Sequence, residues 1–231
     1  MHTEDRFIFQ HFLCSKSLFL PHVFKVIFAS FALIFLFTVG CDAQKITKMY
    51  YDGGALKAEG KLLNGKKIGL WSFFYPNGTL SASESYRNGM LDGVVEYFFP
   101  DGKLKAVENW EVGMQEDTTV EYYQNGRIKS KGSFDQGVYE GPWLFFYDSG
   151  QLKRKGSYRG GLPEDQWKFY NEDGTIKQKG RFKDGKEEGE WFFYDDHGRL
   201  QYEGVFSEGI KVGTWYKYSK KGKRKVFEIY E

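Results

Sequence analysis

The stretch GEWFFYDDHGRLQYEGVFSEGIKV, residues 189–212, decides the fold, because the chain matches itself when shifted by 24 residues. In steps of 24, glycine stands at 54, 78, 102, 126, 150, 174, 198 and 222, and again at 65, 89, 113, 137, 161, 185 and 209. A third series contains only rings: Tyr86, Trp110, Phe134, Tyr158, Phe182, Phe206 and Tyr230. A fixed period of this length marks a repeat array, one supersecondary unit per period, rather than one or two ordinary domains.

Within a unit the order is strand, turn, strand, turn, as in WSFFY, PNG, TLSASESY and RNGMLDG from Trp71 onward. Aromatic runs broken by Asn-Gly or Asp-Gly predict hairpins, since glycine supplies the positive φ that such turns need. Asn77-Gly78, Asp101-Gly102, Asn125-Gly126 and Asp173-Gly174 fit best. The expected fold is therefore all-β, an elongated and twisted single-sheet meander of stacked β-hairpins. About seven units with partial ends fill residues 50–231, residues 42–49 form a tether, and residues 1–41 contain a hydrophobic signal helix or anchor.

A pairing rule runs through the array. Each residue at 60, 84, 108, 132, 156, 180 and 204 has a companion 11 positions later, and five such pairs are Gly with Trp. The other two change on both sides together, Glu84 with Val95 and Glu108 with Thr119. This predicts that the paired residues face each other across a hairpin, with the indole lying over a glycine that has no side chain. The same register would set the ring series opposite Gly93, Asp117, Gly141, Asp165, Gly189 and Gly213.

Lys and Arg total 33 against 31 Asp and Glu, and without residues 1–41 the balance is 30 against 29. So even a balance gives no long-range pull on nucleic acid, which is not expected as a partner. Cys14 and Cys41 both precede the array, so no disulfide or Cys-based zinc site is expected in it. His197 is the single histidine after residue 22, leaving imidazole chemistry without partners.

Val26 to Val39 is a run of 14 uncharged residues between Lys25 and Gly40-Cys41-Asp42. It is short for a membrane-spanning helix and of the right length for an export signal. Gly40-Cys41 resembles the lipobox of bacterial lipoproteins, and that resemblance implies lipidation of Cys41 after cleavage. The expected location is the cell envelope, with the membrane reached through this anchor; a single-pass or secreted form is the alternative.

The pattern carried by Gly189, Trp191, Phe193, Tyr194, Gly198, Leu200, Gly204, Phe206 and Gly209 resembles the bacterial variant of the MORN repeat, over nearly all of residues 50–231. The resemblance implies stacked β-hairpins serving as an interaction scaffold. Proteins of this kind are often labelled YwqK-family antitoxins, which implies an immunity-like role as one form of that function.

Acids in the turns, Asp148, Asp173, Asp195 and Asp196, read as turn residues that bind their own backbone. Paired carboxylates such as Glu187 and Glu188 would need an enclosed cleft for hydrolysis, which a single-layer sheet lacks; no enzyme activity, cofactor or metal is expected. The candidate binding face is the row Trp71, Trp110, Trp143, Trp167, Trp191 and Trp215. A candidate notch with acidic walls comprises Glu84, Val95, Glu108 and Thr119. The expected function is a non-enzymatic, envelope-tethered scaffold whose aromatic face binds another protein. The alternative is envelope polysaccharide binding, since Trp191 to Tyr194 followed by Asp195 and Gly198 resembles the aromatic-turn repeats of cell-wall-binding modules.

Overall fold

The computed structural model describes residues 45–231. The signal segment, the anchor and Cys41 lie outside the described residues.

Sixteen strands form one antiparallel sheet in which each strand pairs with its neighbours in sequence, and the sheet does not close on itself. In chain order they are β1 (Ile46–Tyr50), β2 (Leu56–Leu63), β3 (Lys66–Phe74), β4 (Leu80–Arg87), β5 (Met90–Phe98), β6 (Leu104–Glu111), β7 (Met114–Tyr122) and β8 (Ile128–Asp135). There follow β9 (Val138–Phe146), β10 (Leu152–Arg159), β11 (Leu162–Tyr170), β12 (Ile176–Lys183), β13 (Lys186–Tyr194), β14 (Leu200–Ser207), β15 (Ile210–Tyr218) and β16 (Arg224–Tyr230). The meander is as the 24-residue period predicts. The tether is shorter than expected, because Ile46–Tyr50 already pairs with β2.

The two glycine series build two different turns. Between β2 and β3, Asn64 and Gly65 both have positive φ, at 51° and 75°, which is the two-residue hairpin whose twist matches that of the strands. Between β3 and β4, the amide of Gly78 donates to Tyr75 O at 2.9 Å and only the glycine has positive φ. Asn77 Oδ1 accepts there from the amide of Thr79 at 3.0 Å, so this asparagine braces the turn instead of adopting the left-handed conformation.

A third set of positions corrects the expected register. Each ring of the aromatic series is the direct partner of the residue 17 before it: Gly69 faces Tyr86, Gly93 faces Trp110, Asp117 faces Phe134 and Gly189 faces Phe206. The facing residues share positive φ, from 56° at Asp117 to 106° at Gly93. A side chain at Gly141, Gly189 or Gly213 would meet nothing within 4 Å. Left-handed backbone, and not room for a ring, therefore selects Gly or Asp at this place.

Candidate functional site

The core is made of tryptophan. Trp71, Trp143, Trp167, Trp191 and Trp215 are all at most 3% exposed. Each indole lies on the glycine 11 residues before it, as predicted: a Cβ on Gly132, Gly156, Gly180 or Gly204 would come within 2.1 to 2.2 Å of ring atoms. The direct Cα partner, however, lies on the following strand, with Trp143 facing Gly156 and Trp167 facing Gly180. The strand before is interrupted by a bulge, with Lys131 facing Leu144 and Ser133 facing Glu140, and the ring folds back across that gap. Its Nε1–H then donates to a carbonyl on the older strand: Trp143 to Ser133 O and Trp167 to Ser157 O, both at 3.1 Å, and Trp191 to Arg181 O at 3.2 Å. These tryptophans are consumed by the fold, so they do not form the exposed contact face that the sequence suggests.

The surface beside them is aromatic nonetheless. Side chains alternate between faces along a strand, so Phe145, Phe169 and Phe193 share a face with the tryptophan two residues earlier. They are half-buried. Phe169 lies 6.0 Å from Trp167 and 6.4 Å from Trp191, and Phe193 lies 6.1 Å from Trp191 and 5.9 Å from Trp215. On the other flank the ring series meets the indoles edge-on: Tyr158 against Trp167, Phe182 against Trp191 and Phe206 against Trp215, each at 5.1 Å. These edge-on contacts are a favoured aromatic geometry.

Two open depressions lie along this face. One, of about 600 Å³, is lined by Phe145, Phe169 and Tyr170 with Lys129, Lys153 and Arg154. The other, of about 550 Å³, is lined by Phe193, Tyr202, Phe206 and Phe227 with Gln178 and Lys211. Lys177 lines both, which makes them one trough of rings with cationic side chains along it. The Arg154 guanidinium sits 4.0 Å over the Phe145 ring, and Lys129 Nζ lies 3.0 Å from Glu121 Oε2. The sequence signal for the trough was the phenylalanine two residues after Trp71, Trp143, Trp167 and Trp191, hidden by the tryptophans' own prominence.

Of the four notch residues, three pair directly, since Val95 faces Glu84 on one side and Glu108 on the other; Thr119 faces Gly132, and Val95 and Thr119 are buried. The carboxylates are not open walls, because Tyr86 Oη–H donates to Glu84 Oε2 and Trp110 Nε1–H donates to Glu108 Oε2 at 2.9 Å. Trp110 is thus a donor within this seam and does not belong to the row of buried indoles. The Thr119 hydroxyl donates to Val107 O at 3.2 Å, twelve residues back, whereas each buried indole uses the carbonyl ten residues back. Burial, with Glu121 and Glu84 adding to it, raises the Glu108 carboxyl above the ordinary range. Burial first, then Glu108 and Glu84, pushes the Tyr97 hydroxyl up to about 12. The seam stores like charge in a partly dry place, which is what remains where the Gly–Trp pairing is given up.

Two ladders along the turns escaped the sequence reading. At one edge Asp92, Glu116, Glu140, Glu164 and Glu188 each accept from the backbone amide 20 residues later, at 2.8 to 3.3 Å. At the other, Tyr51, Tyr75, Tyr123 and Tyr147 each donate to the carbonyl 23 residues later at 2.8 Å. Both tie one unit's turn to the next, and both were visible as acids or tyrosines in steps of 24. Glu188 is therefore a backbone acceptor, tied to the amide of Glu208. The turn acids serve locally: Asp195, held down to about 2 by the Arg199 amide and guanidinium, accepts from the amides of His197 and Arg199 at 3.0 Å each.

Among known families, the one described as MORN repeat variant matches residues 67–88, 91–111, 118–136, 139–159, 166–184 and 187–208, together more than half of the chain. No curated protein matches the chain. Among solved structures, the chain is similar to the Tc holotoxin pore of Photorhabdus luminescens carrying a TccC3 mutation, at 14% identity and a TM-score of 0.22. It is also similar to the TcdB2-TccC3-Cdc42 structure, at 13% identity and a TM-score of 0.21, and to TcdB2-TccC3-TEV, at 13% and 0.22. Each match covers 78% of this chain and spans 12% of the length of the other.

Proposed function

Because this chain belongs to the MORN repeat variant family, we propose that it is a non-enzymatic repeat scaffold which binds another protein along the trough floored by Phe145, Phe169 and Phe193. The observation that carries the reading is the continuous run of half-buried rings with Lys129, Lys153, Arg154 and Lys177 along it. Rings held in place by packing against buried tryptophan offer apolar area at low entropic cost. Lys129 is already paired with Glu121, while Lys153, Arg154 and Lys177 select for carboxylates. The partner segment therefore presents apolar side chains with acids between them.

The scaffold is tethered to the cell envelope through a lipid on Cys41, a reading that rests on the uncharged run before Gly40-Cys41. The resemblance of the repeats to those of YwqK-family antitoxins suggests one specific form, neutralisation of a toxin in the same compartment. Burial of the five tryptophans removes the exposed indoles on which polysaccharide recognition would depend, and favours a protein ligand.

The test uses the full chain as bait against solubilised envelope of the source organism, beside a Phe169→Ser, Lys177→Glu variant checked for intact secondary structure. A stoichiometric protein retained by the parent and lost from the variant supports the proposal. Equal retention on both baits, or retention of the parent on polysaccharide alone, overturns it.

A further inference from the structure

We infer that the two strand edges of the sheet are halves of one interface, so that β16 of one copy pairs with β1 of the next and the protein assembles head to tail. Among the described residues, β1 and β16 each pair on one side only. Their open edges carry Ile46 and Met49 on one strand, Val226 and Ile229 on the other, each exposed by about half or more. Unpaired amides and carbonyls beside apolar side chains form a template for another strand.

The array itself says which strand fits. Two strand types alternate along it, and each even-numbered strand from β2 to β14 is followed by an odd-numbered one. β1 is of the odd type: Thr47 faces Gly60 and the register shifts at Met49 and Tyr50, just as Trp191 faces Gly204 and the register shifts at Phe193 and Tyr194. β16 is of the even type: Glu228 faces Trp215 and Tyr230 faces Gly213, as Gly204 faces Trp191 and Phe206 faces Gly189. Placing β1 of a second copy beside β16 continues the even-to-odd strand interface already repeated within the chain.

The pairing rule identifies the junction residues. Glu228 occupies the place where five units have glycine and two have Glu84 and Glu108. Thr47 occupies the place of the tryptophan, which beside those two glutamates is Val95 or Thr119. Tyr230 Oη–H donates to Glu228 Oε2 as Tyr86 does to Glu84 and as the Trp110 indole does to Glu108. The Glu-plus-donor arrangement thus stands at the outer edge of β16, and the threonine that accompanies it inside the array stands at the outer edge of β1. Glu228 of one copy with Thr47 of the next reproduces the pair Glu108 and Thr119. A contact of this kind joins unlike surfaces, so it builds rings or open-ended filaments and not two-fold dimers.

Sedimentation velocity of the full chain in detergent, over a rising concentration series, tests this in four forms: the parent, Thr47→Trp, Glu228→Gly and the double variant. The parent is expected to grow beyond the dimer with concentration. Thr47→Trp sets an indole against a glutamate and weakens association about tenfold or more, the equivalent of one lost close contact; its own array is untouched because that ring reaches outward. The double variant recreates the Gly–Trp pair and recovers association. Single copies at every concentration in the parent and the double variant, or association shared equally by all four forms, overturns the inference.

Discussion

The indole of Trp191 occupies the space that a side chain at residue 180 would need: a Cβ on Gly180 would sit 2.1 Å from Trp191 Cδ2. Gly180 has no left-handed φ, so volume alone excludes other residues. Gly213 is the reverse case, with φ 63° and nothing within 4 Å of a Cβ.

The contrast gives the first prediction. Gly180→Ala displaces the ring and its bond to Arg181 O, and costs about 3 kcal/mol through overpacking and a lost hydrogen bond. Gly213→Asp stays within about 1 kcal/mol of the parent, since aspartate already holds that conformation at residues 117 and 165. Urea unfolding followed by tryptophan fluorescence measures both. Equal costs would contradict the separate reasons assigned to the two glycines.

Val112 has φ 48° in a two-residue turn whose counterparts are Asn64, Asn88, Gln136, Gly160, Asp184 and Glu208. A β-branched residue is strained there, whereas asparagine tolerates the conformation. Val112→Asn is predicted to stabilise the protein by about 1 kcal/mol, read as a higher urea midpoint at unchanged slope. Its amide keeps the acceptor Asp92 Oδ2. An unchanged or lower midpoint would mean that the turn is not strained.

The meander and the seating of indole on glycine are legible in the sequence because side-chain volume leaves a direct trace: Gly and Trp vary together 11 residues apart. The strand boundaries are not, since RNGMLDG reads as a turn where only Asn88 and Gly89 lie between β4 and β5. The bulge that puts the direct partner of Trp143 at Gly156 leaves no such trace, since it is a property of backbone register. Asp117 and Asp165 were the readable hint that their series concerns φ, because aspartate cannot make room for a ring. The tryptophan row reads as a surface only while strand faces are assigned without asking what each indole covers. Once it covers glycine, it is core, and the contact surface passes to Phe145, Phe169 and Phe193.

Glu108 carries a pH prediction. Its carboxyl is raised in the folded state by burial, then by Glu121 and Glu84, with the Trp110 indole opposing. A raised carboxyl binds its proton more readily folded than unfolded, so its contribution is fully present below the ordinary carboxylate range. That contribution is lost as pH rises through the raised value. Glu108→Gln keeps an acceptor for Trp110 and removes the charge. It is predicted to raise the melting midpoint at pH 7 by a degree or so and to have no effect near about pH 4, where a carboxyl is largely protonated. A gain of equal size at both pH values would exclude ionisation as its cause.

The central claim is that residues 11 apart choose each other: glycine seats an indole, while glutamate requires a small neighbour. A double-mutant cycle on Glu108→Gly and Thr119→Trp, measured by urea unfolding, tests it most directly. Each single change is predicted to destabilise, one by leaving a gap and the other by forcing an indole against Glu108. Together they rebuild the pair seen at Gly132 and Trp143, with a favourable coupling on the order of 2 kcal/mol. Strict additivity would contradict the claim, and the head-to-tail junction deduced from the same rule would fall with it.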